Sequence, residues 1–295
     1  MTSVSEQAIF DAHTARFGVA SVDAPTDTAY TRDDAVYRAA KAACLRLGFI
    51  GIDAECLAQA WAARSQRLGF DATAWPDDPA DFGLRPWPRE GAFAPCPQAL
   101  GLYAVLPDAT WVGRMARAGV QTLQLRFKSD DAAAVTREVR AAARAVAGTP
   151  ALLFINDHWQ AAIDAGAYGV HLGQEDIDAA DLGAIRSAGL RLGLSTHGYA
   201  EMLRADALSP SYIAMGAVFP TTLKRMATAP QGTARLQAYA RLLRDYPLVA
   251  IGGIDLEKLP EVLRSGVGSV AVVRALVAAA SPEAEVARFQ QAMAR

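Results

Sequence analysis

The sequence predicts a (β/α)8 barrel of the TIM type, preceded by a small helical segment. After residue 98, eight short β-type runs alternate with alanine-rich helical runs, which is the order of strands and helices in such a barrel. Polar residues gather where these runs end, and 52% hydrophobic residues in a chain of 295 can fill a large core. The alternative is a doubly wound open sheet, which usually has a glycine-rich first turn. The first predicted strand leads instead into Leu106-Pro107-Asp108-Ala109.

Composition excludes several classes of protein. With 29 Lys and Arg against 31 Asp and Glu, the net charge of −2 offers no electrostatic surface for nucleic acid. No run of about 18 apolar residues could span a bilayer, and the N-terminus lacks a signal-peptide pattern. Cys44, Cys56 and Cys96 form no CxxC pair, which indicates reduced thiols in a cytoplasmic protein. The oligomeric state stays open, a homo-oligomer included.

Residues 1–74 are predicted to form a helical extension. Its two amphipathic helices cover about residues 33–48 and 53–68, and both are followed by the glycine and phenylalanine of an Arg-Leu-Gly-Phe sequence. A glycine there can close a helix, and the apolar residue after it packs back on the last turn. The roughly 30 residues ahead are expected to be polar and mobile, with His13 on the surface.

Residues 75–98 are predicted to form a linker between this extension and a catalytic domain at 99–295. The linker holds six of the fifteen prolines, and each fixes φ and removes a backbone donor. We expect it to pack through Trp75, Phe82, Trp87 and Phe93. Because the barrel has its own core, a chain starting at Pro97 is expected to fold.

The barrel elements are predicted from the periodicity of apolar residues and from the turn-forming residues that separate the runs. The predicted strands are GLYAVL, VQTLQLRF, PALLFI, YGVHL, LRLGLS, SYIAMG, PLVAIG and SVAVV. The helical runs are predicted to start near Thr110, Asp130, His158, Asp178, Tyr199, Thr233, Asp255 and Ser281.

The second strand ends in three polar residues at alternate positions. Alternation places Gln124, Arg126 and Lys128 on one face, and Leu125 and Phe127 on the other. The polar face would point into the barrel mouth, where cations need an anionic partner such as a ligand phosphate. The alternative is a strand end that reaches into solvent.

Two aspartates follow the third and fourth strands. Asp157 comes after Asn156, and Asp176 lies in the loop after the next strand. Carboxylates at the ends of adjacent parallel strands can share a hard cation, and Mg²⁺ prefers one or two carboxylates with phosphate and water. Taken alone, each aspartate could instead cap a helix.

The later strands end in residues suited to anions. Ser195 and His197 follow strand five, and Thr221, Thr222 and Lys224 follow strand six. Backbone N–H groups after strands seven and eight often bind phosphate in barrels, and the paired glycines Gly252-Gly253 allow a close approach. The histidines His171 and His197 are interpreted as structural, and His158 as surface-facing. Two anion subsites and a Mg²⁺ site indicate phosphate or diphosphate chemistry.

From about residue 100 to the C-terminus, the sequence resembles the thiamine-phosphate synthase family. The motifs that carry the resemblance are QLRFK, FINDHWQAAIDAGAYGVHLGQEDI, GLSTH, FPTTLKRMATAPQG, VAIGGI and GVGSVAVVRAL, in family order. The resemblance implies a (β/α)8 transferase of thiamine biosynthesis. It would join hydroxymethylpyrimidine diphosphate to a thiazole phosphate or its carboxylate form, releasing diphosphate.

The resemblance also implies roles for individual residues. The pyrimidine diphosphate would be bound by Gln124, Arg126, Lys128, Asn156, Ser195 and Lys224, of which Arg126, Lys128, Ser195 and Lys224 would be catalytic. The Mg²⁺ ligands would be Asp157 and Asp176. The thiazole phosphate pocket would contain Thr221, Thr222, Leu223, Gly253, Val273 and Arg274.

Three residues depart from the family pattern. Phe127 stands where an acidic or polar residue is usual, and Leu223 replaces a hydroxyl residue. Arg274 stands where a serine usually follows the paired valines. The last two fall in the thiazole phosphate pocket, where Arg274 would add a charge-assisted contact or point outward.

Two other functions are compatible with a barrel of this kind. The similar thiazole tautomerase shares the barrel and would use His197 for proton transfer, but both aspartates and the basic set argue against it. A non-catalytic protein that binds thiamine precursors is the other alternative, suggested by Leu223 and Arg274. The extension would then dock a partner.

Overall fold

A computed structural model describes residues 4–20, 29–221 and 229–294 of the chain. Eight parallel strands form a closed barrel in which each strand pairs with the next and β8 pairs with β1. The strands are β1 Gly101–Leu106, β2 Thr122–Leu125, β3 Leu152–Asn156, β4 Gly169–Leu172, β5 Arg191–Thr196, β6 Tyr212–Met215, β7 Leu248–Ile251 and β8 Ser269–Val272. The prediction of a (β/α)8 barrel is confirmed.

Helices surround the barrel and precede it. The extension contains α1 Glu6–Phe17, α2 Ala35–Arg46 and α3 Gly51–Leu68, followed by a short 3-10 helix at Pro79–Phe82. The barrel helices are α4 Ala109–Arg117, α5 Ala132–Val146, α6 Trp159–Ala165, α7 Leu182–Ser187, α8 Tyr199–Leu208, α9 Gly232–Leu242, α10 Leu259–Leu263, α11 Arg274–Val277 and α12 Pro282–Met293. In the described ranges, no helix is both long and apolar enough to cross a membrane.

Side-chain alternation along the strands separates two apolar regions. In β1, Tyr103 and Val105 point into the barrel, where they meet Phe154 and Tyr212. Leu102, with Ala104 and Leu106, instead joins the layer between strands and helices. Alternate residues of the strand thus pack in the barrel interior and against the helices, as expected for a strand that is buried on both faces.

The predicted helix starts agree within two residues except at α7 and α10, which begin four residues late. Before α7, residues 174–179 form turns, stabilised by the Asp176 carboxylate, which accepts from the Gly173 N–H at 3.1 Å. Before α10, the Lys258 N–H donates to the Asp255 carboxylate at 3.0 Å. In both segments the first polar residues therefore stabilise a turn, and the helix begins after that turn.

The first part of the extension differs from the expectation. Residues 6–17 form helix α1, capped by the Ser5 hydroxyl, where a polar and mobile segment was expected. His13 lies on this helix and is only 5% exposed, so its prediction as a surface residue was wrong. Its Nε2 lies 3.1 Å from the Ala72 carbonyl oxygen, and its ring packs edge-on against Trp75.

The segment between α3 and β1 packs against the barrel through its aromatic residues. The Trp75 Nε1–H donates to the Tyr199 hydroxyl at 3.1 Å, and the Phe82 ring stacks on the same tyrosine. Trp87 packs on Tyr246, with ring centroids 4.9 Å apart. The barrel face formed by α8 and α9 is thus covered by earlier parts of the chain.

Candidate active site

A cavity of about 650 Å³ opens at the carboxyl ends of the strands, where barrels of this architecture hold their active sites. The predicted site residues that line it are Gln124, Arg126, Lys128, Asn156, Asp157, Asp176, Ser195, Thr221, Gly253, Val273 and Arg274. Predicted residues Thr222, Leu223 and Lys224 lie outside the described residues. The structure therefore brings together every predicted site residue that it describes.

The end of β2 supplies the polar face of one wall. Gln124 is buried at the strand end, Arg126 is half-buried and Lys128 is exposed at the rim. Leu125 is buried on the other side, and Phe127 packs against the outer core. Phe127, which departs from the family pattern, therefore faces away from the cavity.

Asp157 and Asp176 form a carboxylate pair at the mouth. The Lys128 ammonium Nζ lies 2.5 Å from Asp157 Oδ2. Burial and the neighbouring Asp157 carboxylate both raise the pKa of Asp176, because each disfavours the ionised form of its carboxyl group. Asp157 has a left-handed backbone with φ of 63°, which aspartate tolerates better than most residues.

A chain of hydrogen bonds runs through the barrel below this pair. The Gln124 amide donates to the Tyr103 hydroxyl at 3.0 Å, and that hydroxyl lies 2.8 Å from the Tyr212 hydroxyl. His171 Nδ1 lies 2.7 Å from the Tyr212 hydroxyl, and its Nε2 lies 2.8 Å from Ser195 Oγ. Burial lowers the pKa of His171 to about 4, so the imidazole is neutral and joins its neighbours as one donor and one acceptor.

Sequence reasoning missed the two tyrosines of this chain. Tyr103 and Tyr212 lie within predicted strands, where the sequence pattern indicates only apolar core residues. In the structure their hydroxyls meet inside the barrel. A buried tyrosine usually finds a hydrogen-bond partner, so two tyrosines on the inward faces of β1 and β6 are the available signal. His171, interpreted as structural, also lines the cavity.

His197 is held at the rim by the first turn of α8. The Glu201 carboxylate accepts from the His197 backbone N–H at 2.9 Å and lies 2.7 Å from its Nδ1. His158, predicted to face the surface, is half-buried, and its Nε2 lies 3.1 Å from the Phe127 carbonyl oxygen. Both histidines thus have local partners.

The loops after β7 and β8 form the opposite wall. Gly252 and Gly253 have φ of 106° and 66°, which other residues rarely adopt. A Cβ at Gly253 would lie 2.6 Å from the Pro220 carbonyl oxygen, so glycine is also required sterically. Val273 is half-buried and Arg274 is exposed at the cavity edge. The paired glycines thus let this loop pack closely against the loop after β6, and both glycines line the cavity.

A further ion pair lines this wall and was not singled out from the sequence. Lys258 pairs with Asp255, and its ammonium lies 5.5 Å from the centre of the Phe219 ring. Both charged residues border the cavity. Their position just after the paired glycines is a signal that could have identified them.

Comparisons with known proteins identify the family. The family described as thiamine monophosphate synthase matches residues 102–276. The thiamine-phosphate synthase of Neisseria meningitidis serogroup B is 57% identical over 198 residues, which cover 67% of this chain and 97% of that protein. The thiamine-phosphate synthase of Cronobacter sakazakii is 56% identical over 187 residues, covering 63% and 89% of the two chains.

A solved structure agrees with these sequence matches. Thiamine phosphate pyrophosphorylase from Pyrococcus furiosus superposes with a TM-score of 0.60 at 25% identity, covering 66% of this chain and 96% of that one. Neither the tautomerase nor the non-catalytic alternative is supported by these comparisons. The extension, including α1 to α3, precedes the matched residues 102–276. The chain belongs to the thiamine monophosphate synthase family.

Proposed function

We propose that this chain is a transferase that joins hydroxymethylpyrimidine diphosphate to a thiazole phosphate. Thiamine phosphate is the product that the names of the relatives indicate, and diphosphate is the group that leaves the pyrimidine substrate. The observation that supports the proposal most strongly is one cavity that unites cationic side chains, a carboxylate pair and a glycine-lined wall. Two phosphate-bearing substrates and a divalent cation that accompanies the diphosphate would use all three of these features.

The β2 side of the cavity suits the diphosphate. Arg126 and Lys128 carry positive charge at the end of one strand, and Asn156 on the next strand adds an amide. Charge-assisted hydrogen bonds to phosphate oxygens are about twice as strong as neutral ones. Fixed cations also stabilise the negative charge that develops as diphosphate departs.

The carboxylate pair fits a divalent cation. Asp157 and Asp176 are close enough to raise the pKa of Asp176, and a hard cation between them would relieve that repulsion. Among the described residues, no group of three or more His, Cys, Asp or Glu side chains could hold a metal. Two carboxylates with substrate oxygens and water are the set that Mg²⁺ prefers, so we propose Asp157 and Asp176 as its ligands.

The chemistry that Mg²⁺ supplies when bound is neutralisation of charge on the leaving diphosphate. Arg126 and Lys128 bind the same group and favour its departure from the pyrimidine methylene carbon. Ser195, held by His171, orients the pyrimidine. The wall containing Gly253 holds the thiazole phosphate, which places the thiazole nitrogen near the resulting cation. Catalysis then depends mainly on positioning.

The test is condensation by the purified protein with both substrates, with Mg²⁺ and with a chelator. We expect thiamine phosphate and diphosphate in equal amounts in the presence of Mg²⁺. Arg126→Met should lower kcat/KM by about 100-fold or more, whereas Arg114→Met is the matched control. Arg114 pairs with Glu283 on the helical layer. Absence of thiamine phosphate with both substrates and Mg²⁺ would overturn the proposal.

A further inference from the structure

Helix α8 is capped from outside the barrel. It begins directly after the β5 loop, and its N-cap residue is Gly198, which has no side chain to accept a hydrogen bond. Asp53 on α3 supplies the acceptor, since its Oδ1 accepts from the Ala200 N–H at 2.9 Å. An aspartate that accepts from the first turn is a preferred cap, with charge of the sign that a helix N-terminus favours.

The contact between α3 and this turn is tight and buried. Asp53 is 4% exposed, and a Cβ at Gly198 would lie 2.1 Å from its Oδ2. Any other residue at 198 would therefore displace the carboxylate. On the adjacent helix α9, Arg235 donates to the carbonyl oxygens of Leu47 and Gly48, the latter at 2.8 Å. These bonds hold the turn that leads into α3.

The capped turn carries residues of the active site. Ser195 and His197 line the cavity, and His197 is joined to the first turn of α8 through Glu201. The chain from Ser195 to Ala200 is therefore fixed at the cavity by β5 and at its far end by Asp53. A shift of Ala200 would move His197 first and Ser195 next.

We propose that Asp53 is a positioning residue, through which the N-terminal extension fixes the β5–α8 turn of the active site. It does not touch substrate, and it lies outside the residues that match the family. The inference rests on the proposed function for its kinetic consequence. Because Ser195, which precedes this turn, is the residue assigned to the pyrimidine substrate, loss of the cap should affect that substrate selectively.

The experiment compares Asp53→Ala with a control at the other end of the same helix. There Arg89, also from outside the barrel strands, pairs with Asp206 at 3.1 Å and donates to Ser209 Oγ at 2.7 Å. Arg89→Met should lower stability and leave the kinetic constants unchanged. Asp53→Ala should lower kcat/KM for the pyrimidine diphosphate by about fivefold or more, with the KM for thiazole phosphate within about twofold. Asp53→Asn restores an acceptor and should recover most of the loss.

A second measurement does not need turnover. The chain has four histidines, so the imidazole signals are simple to assign by NMR with single substitutions. Asp53→Ala should shift the His197 signal, whereas Arg89→Met should leave it in place. If Asp53→Ala does not fold, Asp53→Ser replaces it, because a serine hydroxyl is too short to reach Ala200 from the same backbone position.

The outcomes separate the two proposals. If the unaltered protein makes no thiamine phosphate, the proposed function fails, and the His197 signal still decides whether Asp53 positions the turn. If the protein is active but Asp53→Ala matches Arg89→Met in every kinetic constant and in the His197 signal, the role of Asp53 is only structural and the inference is overturned. Equal losses for both substrates would also overturn it.

Discussion

Lys128 and Asp157 meet at the mouth of the barrel, with Nζ of one lying 2.5 Å from Oδ2 of the other. Lys128 follows β2 and Asp157 follows β3, so the pair joins two neighbouring strand ends. Asp157 is also beside Asp176, whose pKa is raised by burial and by this neighbour. Asp157 therefore contacts a positive charge of the protein on one side and a second carboxylate on the other.

The first prediction concerns this carboxylate pair. Asp157→Asn and Asp176→Asn should each reduce Mg²⁺-dependent turnover by about 100-fold or more, because charge stabilisation of the leaving diphosphate is lost. Turnover measured across a Mg²⁺ titration is the check. Asp178→Asn is the control, since Asp178 is exposed and pairs with Arg204 at 2.6 Å. Full Mg²⁺-dependent activity in both pair variants would refute the assignment.

Much of the barrel was predictable because its signals are local. Each strand is a short apolar run with a period of two, and the polar residues at the end of β2 appear at alternate positions. Parallel strands must present their carboxyl ends on one side. The adjacency of Asp157 and Asp176 therefore followed from strand order alone.

The contacts that were not predicted join distant parts of the chain. The Tyr103 and Tyr212 hydroxyls meet at 2.8 Å although 109 residues separate them, and Asp53 reaches Ala200 across 147 residues. No local pattern specifies such pairs. Helix α1 was missed because its buried side includes the polar His13 beside Ile9, which weakens the apolar stripe that predicts a helix.

The second prediction concerns the boundary between extension and barrel. A chain starting at Pro97 should form the barrel but unfold at a midpoint lower by about 5 °C or more, because apolar area on α8 and α9 becomes exposed. Tyr199 and Tyr239, both 1% exposed, lie on these two helices, and the hydroxyl of Tyr199 would lose its bond from Trp75. Calorimetry of the full and shortened chains gives the comparison.

A molten or insoluble product would contradict this boundary. Near-ultraviolet circular dichroism and dye binding distinguish a packed barrel from a molten one. If the shortened chain is molten or insoluble, the barrel depends on the extension for folding, and residue 98 is not an energetic boundary.

The third prediction concerns pH. Burial raises the pKa of Asp53 to about 6, although the N–H groups of Ala200 and Tyr199 favour the ionised form. A carboxyl whose pKa is raised on folding contributes stability below its unfolded pKa of about 4, and that contribution is lost as pH rises through about 6. The difference in unfolding free energy between the protein and Asp53→Asn should therefore fall between these pH values and stay constant above about 7.

Urea unfolding of both proteins at each pH measures this difference. Subtracting one curve from the other removes contributions that both share, including those of other buried groups such as His171. A difference that rises with pH over the same interval would show that the pKa of Asp53 is lowered rather than raised, and that its ionised form is the one that stabilises the fold.

The last prediction concerns Arg274, the departure from the family pattern at the start of α11. Arg274 lines the cavity beside the wall that contains Gly253, where the thiazole phosphate is proposed to bind. A guanidinium that reaches the phosphate adds a charge-assisted bond of about 1.5–3 kcal/mol, offsetting the hydroxyl absent at Leu223. Arg274→Ser should then raise the KM for thiazole phosphate about tenfold or more and change the KM for pyrimidine diphosphate little. Arg264→Ser, on an exposed position away from the cavity, is the control, and equal KM values for thiazole phosphate in Arg274→Ser and the parent would place the side chain outside the binding pocket.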